Sequence, residues 1–293
     1  MEQSNLKIWI LAARPKTLWV SVAPVAIGSA MAFEGGGLHI LSAVSALLGA
    51  VLIQIGTNFA NDYFDHHKGA DSQGRLGPTR VVQAGLVSSS AMKTAIIAVF
   101  ALSALPGAYL VWRAGLPIVV IGALSILFGI LYTAGPYPLG YVGLGEIFVI
   151  IFFGPVAVGG TYYVQTLNIS LPVLLSGLAP GLFSVAILTV NNLRDVKSDH
   201  RAGKKTLAVR FGAKFSKIEY LLSIVMACLI PLLLLDDEKH PYTLLASVVF
   251  LVAIPSIKIV FTSSEGAVLN RVLERTGRLL LLYSLIFSLG WIV

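Results

Sequence analysis

Asn58-Phe59-Ala60-Asn61-Asp62-Tyr63-Phe64-Asp65, with Asp71 beyond it, and Asn191-Asn192-Leu193-Arg194-Asp195, with Asp199 beyond it, decide how this chain is read. Each stretch closes a long apolar run and leads into a basic, glycine-containing loop. On a helix, Asn58, Asp62 and Asp65 stand at i, i+4 and i+7, and Asn191 and Asp195 at i, i+4, with Asp199 four further on, so each set shares one face. Clustered carboxylates repel one another, are poorly solvated near lipid, and oppose the macrodipole at a helix C-terminus. A divalent cation relieves all three penalties. Hard oxygen ligands suit Mg²⁺, which takes one or two carboxylates together with substrate phosphates. The pattern predicts a membrane enzyme that holds a diphosphate between two carboxylate clusters. Asp62, Asp65, Asp195 and Asp199 are its catalytic candidates, and the same four plus Asp71 its metal ligands.

Composition agrees with a membrane setting. Charged residues are 12% of the 293, about half the usual ~25%, apolar residues are 56%, and mean hydropathy is +0.85. The fold expected is all-α and polytopic, a single transmembrane domain over residues 1–293. Nine spans are predicted, at about 17–33, 38–60, 92–112, 116–133, 146–165, 171–193, 215–235, 242–261 and 277–293, most near the ~20 residues that cross a bilayer core. Backbone groups in lipid must bond within their own segment, so the spans are helices. The first could pass for a signal peptide, but eight further spans and the lack of a convincing cleavage site favour a retained helix.

With nine spans, the N-terminus and the loops after spans 2, 4, 6 and 8 share a side and carry 19 of the 21 Lys and Arg; Arg113 and Lys239 alone lie opposite. The positive-inside rule then puts the N-terminus and both carboxylate clusters in the cytoplasm. This bias accounts for the net charge of +7 without a nucleic-acid partner. The pairs Asn58/Asp62 and Asn191/Asp195 are also offset by the same 133 residues. Two related four-helix halves plus a ninth helix, around one cytoplasm-facing cavity, would produce that offset.

Phosphate oxygens call for cationic donors beside the metal. Asn58, Lys68, Arg75 and Arg80 flank the first cluster, and Asn191, Arg194, Lys197 and Lys204 belong to the second; all are diphosphate-binding candidates, although several of the surrounding basic residues suit an ordinary salt-bridged loop. Segment 74–85 lacks the GxxxxGK[ST] pattern of a Walker loop. Segment 131–146 carries Tyr132, Tyr137 and Tyr141, which read either as an interfacial aromatic belt or as a wall for an aromatic or carbocation-like species. Glu146 suits a helix N-terminus. The five His residues form no zinc motif, and the lone Cys228 lies in an apolar span with no partner for a nucleophile.

The chain resembles the UbiA superfamily of intramembrane aromatic prenyltransferases over nearly its whole length, from Arg14-Pro15-Lys16-Thr17 to the last span. Within it, the 1,4-dihydroxy-2-naphthoate polyprenyltransferases are most similar. That likeness rests on Asn61-Asp62-Tyr63-Phe64-Asp65 through Asp71, on Arg75-Leu76-Gly77-Pro78-x-Arg80, on Tyr132-Thr133-x-Gly135-Pro136, and on Asn191-Asn192-Leu193-Arg194-Asp195 through Gly203-Lys204-x-Thr206-Leu207. Asp65 and Asp71 are six apart, where the common superfamily form has a spacing of four. A Lys often found after span 4 in hydroxybenzoate enzymes is missing. The resemblance implies Mg²⁺-dependent prenyl transfer from a polyprenyl diphosphate to the ring carbon bearing a carboxylate, with loss of CO₂ and diphosphate. Arg14, in an Arg-Pro entry similar to the superfamily's, reads either as a ligand of the acceptor carboxylate or as a positive-inside anchor that snorkels to the headgroups, and Tyr132, Tyr137 and Tyr141 join it as acceptor-binding candidates. Another acceptor, such as 4-hydroxybenzoate or homogentisate, is the alternative within the family. A transporter is the alternative of another class, but it would carry its acids deep within spans rather than at their ends.

Overall fold

The computed structural model describes residues 4–69, 77, 79–237 and 240–293, and every regular element among them is helical. In chain order these are α1 (Asn5–Ala13), α2 (Trp19–Glu34), α3 (Ile40–His67), α4 (Ser89–Ala114), α5 (Leu116–Leu131), α6 (Gly145–Phe152), α7 (Pro155–Thr166), α8 (Leu171–Arg201), α9 (Leu207–Leu229), α10 (Val249–Thr262) and α11 (Gly266–Ile292). Tight 3₁₀ turns at Pro15–Thr17, Ile230–Asp237 and Pro241–Val248 join or extend them.

Six described segments are long and apolar enough to cross a membrane: α3, α4, α6 with α7, α8, Leu207–Leu235 and Pro241–Thr262. The α1 segment and α2, bent by 53°, make a seventh if counted as one span. The other two predicted stretches are helical as well, but differ in kind. α5 has 16 residues, and α11 carries Arg271, Glu274, Arg275 and Arg278 in its first half.

The centre of the bundle is α8. In its most apolar window 72% is buried, against 17% for α3 and α4, which turn much of their surface outward. Phe183 of α8 packs on Tyr283 of α11, and Tyr220, Ile224 and Leu280 complete the same core. Close approach depends on glycine where α8 crosses the break between α6 and α7. A Cβ on Gly177 would lie 2.8 Å from the Pro155 backbone, and one on Gly181 would lie 2.6 Å from the Ile150 carbonyl oxygen. Small residues at such crossings are how helices pack in lipid, where apolar side chains gain nothing by leaving solvent.

Two helices run past the spans predicted on them. The spans predicted to stop near residues 60 and 193 lie on helices that continue to His67 and Arg201, so Asn58–Asp65 and Asn191–Asp199 are helical throughout. Continuation keeps Asn58 and Asp65 on one side of α3, and Asn191, Asp195 and Asp199 on one side of α8. Gly69 (φ 65°) and Gly203 (φ 72°) then take left-handed conformations just past the ends, which only glycine adopts cheaply.

Gly177→Ala forces a methyl against the α7 backbone and should lower stability by about 1–3 kcal/mol. Thermal unfolding in detergent measures it, and a midpoint equal to wild type would show that this crossing relaxes freely.

Candidate functional site

α3 and α8 carry their acids to one end of a cavity of about 700 Å³. Asn58, Asn61 and Asp65 of α3, Asn191, Asn192, Asp195, Ser198 and Asp199 of α8, and the loop residues Arg14, Arg80, Tyr132, Tyr141 and Lys204 line that end. The rest of the wall is largely apolar and runs between α3, α4, α5 and α7.

Asp65 is the hub. Its Oδ2 accepts from Arg80 Nη2 at 2.6 Å and its Oδ1 from the Tyr141 hydroxyl at 2.6 Å. Lys204 Nζ stands 3.5 Å from Asp65 Oδ1 and 3.8 Å from Asp199 Oδ1, so one ammonium lies between carboxylates of the two motifs. It also sits 4.5 Å from the centre of the Tyr141 ring, which Lys68 Nζ approaches to 5.1 Å. Lys68 donates to the Gly135 carbonyl at 2.8 Å. Burial pulls the Lys68 ammonium below the usual lysine value, Asp65 pulls it up, and Lys204 pulls it down again. The left-handed Gly203 makes this geometry possible: it turns the chain so that the Lys204 amide donates to the Asp199 carbonyl at 2.9 Å and the side chain returns over the site.

Asp195 is held differently. Arg194 Nε and Nη2 grip both its oxygens, while Nη1 donates to Asn270 Oδ1 at 2.6 Å and Nη2 to Asn191 Oδ1 at 2.7 Å. Arg194 thus braces the second motif from behind and is not on the cavity wall. Asn58 Nδ2 donates to the Ala13 carbonyl at 3.0 Å, one residue before Arg14, whose left-handed backbone (φ 54°) turns the chain at the cavity edge.

Several expected residues lie elsewhere. Asp62 is fully buried and off the cavity wall; its oxygens accept from the Val81 and Val82 amides at 3.0 and 3.3 Å. It anchors the turn that delivers Arg80. Lys197 follows Asp195 by two residues, about 200° round the helix, and lies on the outer side of α8 with His200 and Arg201. Tyr137, between two prolines, is 80% exposed. Asp71 and Arg75 lie outside the described residues. Among the described residues no three His, Cys, Asp or Glu side chains form a ready-made metal cage.

The donor set nevertheless fits a hard divalent cation. The carboxylates facing the cavity are accompanied by amide oxygens and no soft ligand, and a cationic group already lies between Asp65 and Asp199. The sequence reading gave no site role to Gln54, Asn61 or Thr133, all on the wall, and read Glu146, which accepts from Asn192 Nδ2 at 3.1 Å, only as a helix N-terminus residue. Thr133 donates to Asn61 Oδ1 at 3.0 Å. The available signal was a polar side chain inside an apolar run, which the membrane tolerates only with a partner or a use.

The model of the UbiA prenyltransferase family matches residues 21–285. A 1,4-dihydroxy-2-naphthoate octaprenyltransferase of Haemophilus influenzae is 36% identical, covering 100% of this chain and 98% of its own. The Escherichia coli protein of the same name is 37% identical, over 98% of this chain and 96% of its own. Among solved structures, an apo UbiA homolog from Aeropyrum pernix superposes with a TM-score of 0.70 at 17% identity, covering 94% of this chain and 97% of its own. A UbiA homolog from Archaeoglobus fulgidus, solved bound to GPP and Mg²⁺, superposes with a TM-score of 0.66 at 16% identity, over 97% and 99%.

Removing Arg80 takes the shortest ionic partner from a carboxylate that is 2% exposed and leaves it the Tyr141 hydroxyl and the longer Lys204 contact. Arg80→Met should cost about 3–5 kcal/mol, and adding Asp65→Asn should recover part of that, since the double variant buries no uncompensated charge. Unfolding of the two single variants and the double variant gives the coupling; strict additivity would contradict the pairing.

Proposed function

The chain belongs to the UbiA prenyltransferase family, and on that premise we propose that it transfers a polyprenyl group from its diphosphate to 1,4-dihydroxy-2-naphthoate, giving a demethylmenaquinol. The observation that carries the reading is the Lys204 ammonium between Asp65 and Asp199, which sets acids of both motifs against one charged group. Relatives of this name, at 36% and 37% identity over nearly the whole chain, support the acceptor.

Asp65, Asp195 and Asp199, with amide oxygens of Asn58 and Asn191, would hold Mg²⁺. When bound, the metal neutralises charge that builds on the departing diphosphate. Lys68, Arg80 and Lys204 would take the phosphate oxygens, and Asp62 would keep Arg80 in register. The allylic C–O bond breaks as the electron-rich ring carbon bearing the carboxylate forms the new C–C bond. The C–COO⁻ bond then returns its electron pair to the ring as CO₂ leaves, so no proton is gained or lost at carbon. Tyr132 and Tyr141 line the cavity where a cationic allyl group would form, and aromatic faces favour such charge. Arg14, at the edge between α1 and α2, is the group suited to the acceptor carboxylate.

The same reading includes the full nine-span topology, with α5 and α11 crossing as well, one transmembrane domain, and the active end of the cavity in the cytoplasm of a bacterial inner membrane. The charge asymmetry supports the orientation.

The test is a prenylation assay with purified protein, 1,4-dihydroxy-2-naphthoate and a polyprenyl diphosphate, with and without Mg²⁺. Turnover should need both the naphthoate and the metal, and 4-hydroxybenzoate should not replace the naphthoate; equal use of both acids would overturn the acceptor assignment. Asp195→Ala and Asp199→Ala should nearly abolish turnover in folded protein. Arg14→Gln should raise KM for the naphthoate about 10- to 150-fold, one charge-assisted hydrogen bond of roughly 1.5–3 kcal/mol, and leave KM for the prenyl diphosphate unchanged. An unchanged acceptor KM removes Arg14 from the site.

A further inference from the structure

Glycine inside a helix costs stability relative to alanine, so each such position asks for a reason. At several positions here, close packing is that reason. A Cβ on Gly28 would stand 2.6 Å from the Val158 carbonyl oxygen, one on Gly56 2.6 Å from the Phe100 ring, and one on Gly129 2.5 Å from Thr57 Oγ1. Gly49 of α3, Gly107 of α4 and Gly122 of α5 differ. A Cβ on any of them would meet nothing within 4 Å, none has a positive φ, and all three line the cavity. Three helices thus leave out a side chain along the wall of one cavity, and neither backbone conformation nor helix contact requires it.

We propose that Gly49, Gly107 and Gly122 set the bore of the isoprenoid channel and so determine which tail lengths the enzyme accepts. This rests on the prenyl-transfer reading and deepens it. Along α3, Gly49 lies 16 residues before Asp65, about 24 Å down the helix. α5 runs beside α3 with Thr133 bonded to Asn61 and Gly129 against Thr57, each pair 72 residues apart, so Gly122 stands level with Gly49. Gly115 alone joins α4 to α5, so Gly107, eight residues before it, stands level with Gly122, seven after it, and the three glycines face the cavity at about one depth. Beyond them, Leu110, Ile118 and Val164 line the cavity and pack together with Ala114. Carbon–carbon bonds of about 1.5 Å make an extended geranyl chain roughly 9 Å long, which ends short of all three glycines. An octaprenyl chain is several times longer and must pass them. Added methyl groups would narrow the bore at a known depth and would fill space rather than displace neighbours.

The experiment measures turnover of 1,4-dihydroxy-2-naphthoate with geranyl, farnesyl, geranylgeranyl and octaprenyl diphosphates in wild type, Gly107→Leu and Gly122→Leu, with the Ala series at all three positions alongside. The readout is the octaprenyl-to-geranyl ratio within each variant, with thermal unfolding of the same samples. The Leu variants should lose roughly tenfold or more of that ratio, the effect of overfilling a packed channel. Gly107→Leu and Gly122→Leu should begin to discriminate at the same tail length, since both act at one depth. The Ala variants should lower the ratio by smaller factors without lowering the unfolding midpoint, which a purely structural role for these glycines would not produce. If a Leu variant fails to fold, the Ala series carries the test. Unchanged ratios in folded variants of an active enzyme would overturn the proposal. A wild type inactive on the naphthoate with every donor would instead overturn the functional reading beneath it.

Discussion

Like charges brought together at the edge of a low-dielectric slab must be neutralised, and this site is arranged around that requirement. Asp65 of α3 and Asp195 and Asp199 of α8 all face one end of the same cavity. Each carboxylate has its own basic neighbour: Arg80 on Asp65, Arg194 on Asp195, and Lys204 between Asp65 and Asp199. Removing one partner of such a buried pair is far more costly than the pair's net contribution, because the remaining charge cannot return to water. The loops are shaped by this need. Gly69 and Gly203 turn the chain sharply after each motif, and the second turn brings Lys204 back over Asp199.

The cations also divide into two kinds. Arg194 is locked, with donors to Asp195, Asn191 and Asn270 from a side chain 1% exposed. Lys204 makes only long contacts, at 3.5 and 3.8 Å, and rests over an aromatic face. A flexible ammonium with loose contacts can transfer to a phosphate oxygen at little cost, whereas a planar guanidinium held by several acceptors cannot. The locked group shapes the site, and the loose one is suited to meet substrate.

Much of this was legible in the sequence because it follows from period. The spacing of Asn58, Asp62, Asp65 and of Asn191, Asp195, Asp199 requires one face per helix, and the 133-residue offset pointed to paired motifs. What the spacing could not convey was which side of α3 each acid takes once the loop packs. Asp62 shares its stripe with Asp65, yet the Val81 and Val82 amides, nineteen and twenty residues away, claim it. Lys197 and Tyr137 were grouped with the site by proximity in sequence, and helix phase and a proline-bounded turn carry them away from it. The helices outrun the predicted spans because charge marks the end of an apolar run and not the end of a helix. The small residues of the channel gave no hydropathy signal of their own, since glycine and alanine are frequent in every membrane helix.

The account's central claim is that the two motifs bind one shared metal–diphosphate unit. Crystals grown with Mn²⁺ and a non-hydrolysable prenyl diphosphate analogue test it most directly through anomalous scattering. The account predicts manganese between α3 and α8, within about 2.5 Å of carboxylate oxygens from both helices, with Lys204 moved from Asp65 onto the phosphates. Manganese bound by one helix alone, with Lys204 still between Asp65 and Asp199, would contradict it.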